Sequence, residues 1–296
     1  MEAEAGIAGM PQQELQQEPQ QEEQPAPVEE PKDERQEQES QQELQQELQQ
    51  GEQSAPVEEP EEEEEARKRL ITVGVMDIDK RLGGGLPQDS LTLVEGDPDA
   101  GKSVVIQQLT FGALKEGFKT ALFLSESSPR EFLDQMDSLG MSSVDYYLIG
   151  RLSLYKRDLR VSQERADNIL RRLLRHIEDS DRRDLFIVDS ITPLLFQFDE
   201  RYVLSFLANC KNLADMGRTI IVTLHSYAIG EALRFRADSI VDAHLRLRIE
   251  ELGKQLVHTL EVAKIRGAMR TADNAVSFTV QPGMGLKSVP ISKTRA

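Results

Sequence analysis

Apolar positions are sparse up to residue 66 and follow no period there; beyond it they fall into short runs separated by stretches of helical spacing. Four runs read as buried strands: Leu91–Glu95, Thr120–Ser125, Leu185–Asp189 and Thr219–Leu224. A fifth strand is predicted at Arg151–Tyr155. The helical stretches carry their own punctuation. Val104–Glu116 ends at Gly117, a C-cap residue. Ser128 followed by Pro129 opens a helix over REFLDQMDSL that stops at Gly140. Gln163–Glu178 places Ile169, Leu170, Leu173, Leu174 and Ile177 on one stripe, and Glu200–Met216 stops at Gly217.

From Ser239 the period changes to two. HLRLRIE alternates, Leu252-Gly253-Lys254 turns, and LVHTLEVAKI returns. Asn274–Val280 and Leu286–Ile291 flank PGMG as a last hairpin. Ahead of the first strand, ITVGVMDIDKRLGGGLP alternates and ends in three glycines, predicting a short lead-in element and a tight turn. Alternating strands and helices followed by a run of strands predict an α/β fold. Its central sheet is mostly parallel and wrapped by helices, with antiparallel strands at the C-terminal end.

Charge sharpens the division. Residues 1–66 hold 22 Asp/Glu and 2 Lys/Arg, whereas residues 67–296 hold 30 and 33, so the net charge of −17 belongs to the first segment. That segment is rich in Gln, Glu and Pro, lacks aromatic residues, and repeats APVEEP at Ala26 and Ala55. Such a composition buries too little apolar surface to offset ordering entropy, so 1–66 is expected to be a disordered acidic tail, either a solubilising tether or an interaction arm. Residues 67–296 suit one large domain, a nucleotide-binding one for the reasons below. The lone Cys210 lies in an apolar helical pattern and is expected to be buried and inert, which suits a reducing cytoplasm. Met1–Pro11 is acidic and does not resemble a signal peptide, and no apolar run is long enough to span a bilayer.

The chemistry concentrates at LTLVEGDPDAGKS. Gly96, Asp97, Pro98, Asp99, Ala100, Gly101, Lys102 and Ser103 spell G-x-x-x-x-G-K-[ST] between a strand and a helix. Such a loop turns backbone N–H groups and a helix N-terminus toward phosphates. Lys102 is expected to reach the β- and γ-phosphates, and Ser103 to place its hydroxyl on Mg²⁺. Asp97 and Asp99 add carboxylates to an anion site, and Asp99 stands where these loops often carry another glycine. Asp189 ends an apolar strand about 90 residues later and suits the second Mg²⁺ position; the alternative is a cap for the following helix. Glu126, just past the second strand, is the candidate catalytic base for water, or else a plain loop carboxylate. His225 follows TIIVTL and either senses the γ-phosphate or satisfies a buried hydrogen bond, while His176 and His258 sit in ordinary patterns and are given no role. Lys264 and Arg266 of K-x-R-G share one face; in an isolated chain they are expected to lack an anion that a neighbouring subunit's nucleotide would supply, unless they form a solvated sheet edge. No Cys/His metal set, no legible Ser-His-Asp constellation and no interleaving of aromatic with basic residues point elsewhere. Near-neutral charge in 67–296 argues against nucleic acid as a partner.

GDPDAGKSVV, SESSPREFLDQMDSLG, IGRLSLY, FIVDSITPLL, TIIVTLHSYA, LEVAKIRGA and SFTVQPGMGLKSVPISK together resemble the archaellum (archaeal flagellum) accessory ATP-binding family, FlaH or ArlH. That family is a single-domain relative of the KaiC clock ATPase in the RecA-like superfamily. The resemblance spans residues 70–296. It implies a RecA-like P-loop core that binds ATP and Mg²⁺ with slow or no hydrolysis. It also implies a homo-oligomeric ring, peripheral at the cytoplasmic face of the motor, that contacts the hexameric motor ATPase and the membrane platform protein. KaiC-like proteins carry paired glutamates after the second strand; here the pair is Glu126 and Ser127, so one acid remains. K-x-R-G in such rings reaches the neighbour's γ-phosphate, which suggests that role for Lys264 and Arg266. A catalytically active KaiC-like ATPase or autokinase, and a RecA-like DNA-binding protein, are the competing expectations.

Overall fold

The computed structural model describes residues 70–180, 183–252, 255–266 and 274–289. The acidic tail 1–66, the turn at Gly253-Lys254, Gly267 and Ile291 lie outside the described residues.

One nine-stranded sheet organises the domain. Its strands are β1 (Leu91–Gly96), β2 (Thr120–Leu124), β3 (Leu152–Lys156), β4 (Leu185–Asp189), β5 (Thr219–His225), β6 (Ala243–Leu252), β7 (Gln255–Ile265), β8 (Ala275–Gln281) and β9 (Gly285–Val289). They lie side by side in the order β3-β2-β4-β5-β1-β6-β7-β8-β9. Every pairing from β3 to β6 is parallel, and every pairing from β6 to β9 is antiparallel. β1 is central, hydrogen-bonded to β5 on one side and β6 on the other, and all its residues are buried. A parallel strand covered on both faces is buried at every position, and even its polar Thr92 and Glu95 are out of solvent.

Eight α-helices are described: α1 (Met76–Arg81), α2 (Lys102–Lys115), α3 (Pro129–Ser138), α4 (Val144–Leu148), α5 (Gln163–Glu178), α6 (Thr192–Gln197), α7 (Glu200–Asp215) and α8 (Glu231–Ile240). Successive strand residues point to opposite faces, so Val94, Leu122 and Ile187 meet α2 and α3 on one face. Leu93, Phe123, Phe186 and Val188 meet α5, α7 and α8 on the other. α2 is buried along most of its length because the lead-in segment covers its outer side. Gln108 Nε2 donates to the Val73 carbonyl at 3.1 Å, and the Leu286 N–H donates to Gln108 Oε1 at 3.4 Å. α3 starts on the expected signal, Ser128 and Glu131 forming a reciprocal capping box.

Three differences from expectation have physical causes. The lead-in stretch contains a helix, α1, held not by period but by Asp79, whose carboxylate accepts the N–H groups of Val73 at 2.7 Å and Gly74 at 2.9 Å. α8 was not anticipated: its N-cap is Gly230 with no side-chain cap, and it buries only Leu233 and Ala237, too little for a stripe. Finally, β7 is an interior strand, although β8 pairs with it only as far as Glu261, leaving Lys264 paired with β6 alone.

Candidate functional site

The loop from β1 to α2 bends back under the sheet's C-terminal edge. Gly101 adopts φ +86° as the N-cap of α2, and a Cβ there would lie 3.2 Å from the Phe278 ring. Asp99 also lies in the left-handed region, at φ +59°. That is the conformation glycine adopts freely, so the aspartate carries local strain of about 1 kcal/mol. Asp97 behaves differently. Its carboxylate accepts a hydrogen bond from the Ser226 hydroxyl and does not line the cleft. Of the two loop carboxylates, only Asp99 faces the space where an anion would sit.

That space is a cleft of about 360 Å³ bordered by Asp99, Gly101, Lys102, Ser103, Glu126 and Asp189, with His225, Gln135 and His258 completing it. Lys102 is 7% exposed. Burial pulls its pKa below the ordinary lysine value, while Asp189, Glu126, Asp97 and Asp99 oppose that fall. Its Nζ lies 3.1 Å from His225 Nδ1. An ammonium can only donate, so Nδ1 is the acceptor and the ring proton sits on Nε2, 3.5 Å from Glu126 Oε2. Ser190 Oγ donates to the other carboxylate oxygen of Glu126 at 2.5 Å. Lys102, His225, Glu126 and Ser190 therefore form one polar chain from the loop to the ends of β2 and β4.

Asp189 closes the cleft from β4. Thr223 Oγ1 donates to its Oδ1 at 2.6 Å. Burial raises the Asp189 pKa, the Thr223 hydrogen bond opposes this, and the neighbouring Glu126 charge adds to it. The following helix α6 has no side-chain cap, so Asp189 is not its capping residue. The Asp189–Ser190 peptide is cis. A partly buried carboxylate held by one hydroxyl, and a serine hydroxyl bordering the same cleft, are oxygen donors of the kind a hard divalent cation takes. Ser103 and Asp189 border the same cleft and are the two residues that would hold Mg²⁺ there; Gly96 is required by packing, since a Cβ would crowd Leu247 Cβ at 3.1 Å and Lys102 Cδ at 3.3 Å.

Lys264 and Arg266 do not border this cleft. Lys264 Nζ donates to the carbonyls of Asp238 at 2.5 Å and Val241 at 2.6 Å, tying down the C-terminal end of α8. Arg266 pairs with Asp242 at 3.0 Å. The expectation that an isolated chain leaves them without partners is therefore corrected: Asp242, drawn to this corner by its bond to the Leu91 N–H, supplies the anion. Arg266 nonetheless remains 58% exposed.

Several site residues had no sequence signal. His258, given no role, walls the cleft and stacks on Phe278 at 5.4 Å because the antiparallel β7 returns beside the loop. Burial lowers its pKa, and its Nδ1 is buried without a hydrogen-bond partner among the described residues. Thr223, Ser190 and Thr192, which accepts the His225 N–H at 2.9 Å, are assembled from separate strands and loops.

The family profile described as "ATPase: KaiC" matches residues 71–291. The archaeal flagellar ATP-binding protein FlaH of Sulfolobus acidocaldarius is 30% identical over 230 residues, 77% of this chain and 100% of that protein. The chain belongs to the FlaH family of KaiC-type ATPases. FlaH of Methanocaldococcus jannaschii is 27% identical over 71% of this chain and 91% of that protein. The crystal structure of the flagellar accessory protein FlaH from the same organism superposes with a TM-score of 0.64 at 26% identity, covering 76% of this chain and all of that one. A KaiC-like protein of Pyrococcus horikoshii shares the fold, with a TM-score of 0.61 at 21% identity. The mostly parallel sheet flanked by helices is accordingly the RecA-like fold of FlaH and KaiC-like proteins. Among the described residues no helix is long and apolar enough to cross a membrane.

Proposed function

We propose that this FlaH-family chain is an ATP-binding accessory component of the archaellum motor whose nucleotide governs its assembly. The observation that carries the reading is the polar chain Lys102–His225–Glu126–Ser190 bordering a phosphate-sized cleft beside Asp189. Lys102 donates to His225 within the chain. A triphosphate offers Lys102 a stronger, charge-assisted acceptor. His225 then loses the donor that fixes its Nδ1, and its hydrogen bonding changes at the end of β5. Ser103 and Asp189 would hold Mg²⁺, which neutralises charge between the terminal phosphates.

Lys264 and Arg266 complete the proposal at a subunit boundary. Arg266 is the more exposed of its ion pair and is free to exchange Asp242 for a neighbour's γ-phosphate in a homo-oligomeric ring. The ring would sit at the cytoplasmic face of the motor and meet its hexameric motor ATPase and membrane platform protein, with slow or no hydrolysis. Nucleotide favours assembly only by its difference in affinity between ring and single chain. The test is sizing with and without Mg-ATP, in wild type and Lys102→Ala, alongside calorimetric Mg-ATP titration. Nucleotide-dependent assembly lost in Lys102→Ala supports the reading; the same oligomer under all four conditions refutes it.

A second reading, an active ATPase, is favoured by one observation. Glu126 is held at the cleft by Ser190 and faces His225, a posture suited to orienting water. Steady phosphate release abolished by Glu126→Gln would select it.

A further inference from the structure

A second cavity, larger than the cleft at the P-loop, is present in the domain. It lies on the opposite face of the sheet, between β2, β3, β4 and α5, and encloses about 450 Å³. That is a volume typical of small-molecule sites. Its floor is aromatic. Phe123 and Tyr155 are cross-strand partners whose rings stack at 5.1 Å and 19°. His176 from α5 meets both edge-on, at 5.6 Å and 5.2 Å. Two guanidinium groups border the opening: Arg157, whose Cζ lies 5.8 Å from the Tyr155 ring centroid, and Arg172. The Arg172 side chain makes no hydrogen bond or ion pair with another of the described residues, whereas Arg171 beside it pairs with Asp167 at 2.8 Å. Among the described residues no acidic side chain lines the cavity.

Burial lowers the His176 pKa, the positive charges of Arg183 and Arg157 lower it further, and the Asp179 carboxylate opposes them, so the neutral imidazole is favoured. The cavity therefore combines an aromatic lining of Phe123, Tyr155 and His176 with two exposed guanidinium groups. Both arginines are exposed and line the same cavity as the aromatic rings. Guanidinium groups favour planar or tetrahedral oxyanions, and stacked aromatics favour a flat partner.

We propose that this cavity is a second binding site, for a small aromatic anion: one planar ring system bearing a phosphate or a carboxylate. The ring packs among the aromatic lining formed by Tyr155 and His176, beside the Arg157 guanidinium that stands over the Tyr155 ring, and the anionic group reaches Arg157 and Arg172. The site shares only a wall with the P-loop cleft: Ser125, which lines the cavity, exchanges hydrogen bonds of 2.9 Å with both backbone groups of Ser190.

Two probes separate the sources, AMP for a nucleotide and phenylpyruvate for an aromatic acid, each titrated calorimetrically into the full chain carrying Lys102→Ala so that the P-loop does not contribute. Saturable binding of at least one is expected. Inorganic phosphate, without a ring, and adenosine, without an anion, should each bind at least tenfold more weakly than AMP if AMP is the ligand that saturates. Arg157→Ala and Arg172→Ala, both exposed and so not expected to impair folding, should each weaken the binding probe about tenfold, and Tyr155→Leu should do the same. Failure of both probes to saturate, or saturation unchanged in the double arginine variant, overturns the proposal. Neither result bears on Mg-ATP binding by the unaltered loop.

Discussion

Gly112 sits on α2 where the helix passes the backbone of the lead-in segment. A Cβ built there would lie 2.0 Å from the Thr72 carbonyl oxygen and 3.1 Å from its carbon. Contacts under 3.0 Å do not occur, so Gly112→Ala must part helix and segment by about 1 Å. The obstacle is backbone, and no rotamer change relieves it. Ile71 and Val73 on either side are buried at 0% and 1% exposure, so the displacement opens the core around them. Overpacking of this kind costs about 1–3 kcal/mol, and the rigidity of the neighbour puts this case near the top of that range. Replacing glycine by alanine in a helix returns about 1 kcal/mol. The net loss is about 2 kcal/mol, which lowers Tm by about 4–8 °C for a domain of this size. Thermal unfolding followed by circular dichroism reads the change. Gly230→Ala is the control, because nothing lies within 4 Å of its added Cβ. It should cost under about 1 kcal/mol through its N-cap position alone. A Gly112→Ala chain as stable as wild type would show that this interface is loose, and the argument from close backbone approach would fail.

Asp99→Gly should relieve the backbone at φ +59° and remove a carboxylate from the cleft, so Mg-ATP affinity should rise severalfold in calorimetry; unchanged or weaker binding refutes the reading. Asp189→Asn should hold or raise Tm at pH 7 while weakening Mg²⁺-dependent nucleotide binding. Burial raises this carboxyl's pKa, so its ionisation disfavours the native state above that pKa, and stability recovers as pH falls toward the ordinary carboxylate range; a clear fall in Tm on substitution would contradict this. Glu95 is the reverse case. Burial opposes its ionisation, but His244 and Arg234 outweigh this and hold its pKa low. Its contribution is present above the ordinary carboxylate value and lost as pH falls through the folded pKa, so Arg234→Gln should cost about 2–3 kcal/mol near pH 7 and flatten the acid limb of the stability profile. Lys264→Met should loosen α8 by leaving the Asp238 and Val241 carbonyls without their shared donor, visible as faster amide exchange in that helix; protection equal to wild type would remove this role.

The loop chemistry was legible because it is local. G-x-x-x-x-G-K-[ST] needs only neighbours in sequence, and the strand before and helix after it declare themselves by an apolar run and by helical spacing. α5 is bounded by Gln163 and Glu178 as its stripe indicates, because one buried face imposes the period. α1, α4 and α6 span one or two turns, too short for a period to show.

Pattern and motif alone determine that the chain carries a parallel α/β core, an antiparallel C-terminal extension and a P-loop with Lys102 and Ser103 at a helix start, since each follows from spacing along the backbone. Only the tertiary structure decides which distant side chains complete the cleft. β7 brings His258 beside Gly101, β5 brings Thr223 to Asp189, and Ser226 draws Asp97 out of the way. It also decides that Lys264 and Arg266 have partners within their own chain, because α8 ends where β7 ends. Such contacts depend on strand order and register across the sheet, and two residues far apart in sequence carry no local trace of the hydrogen bond that will join them.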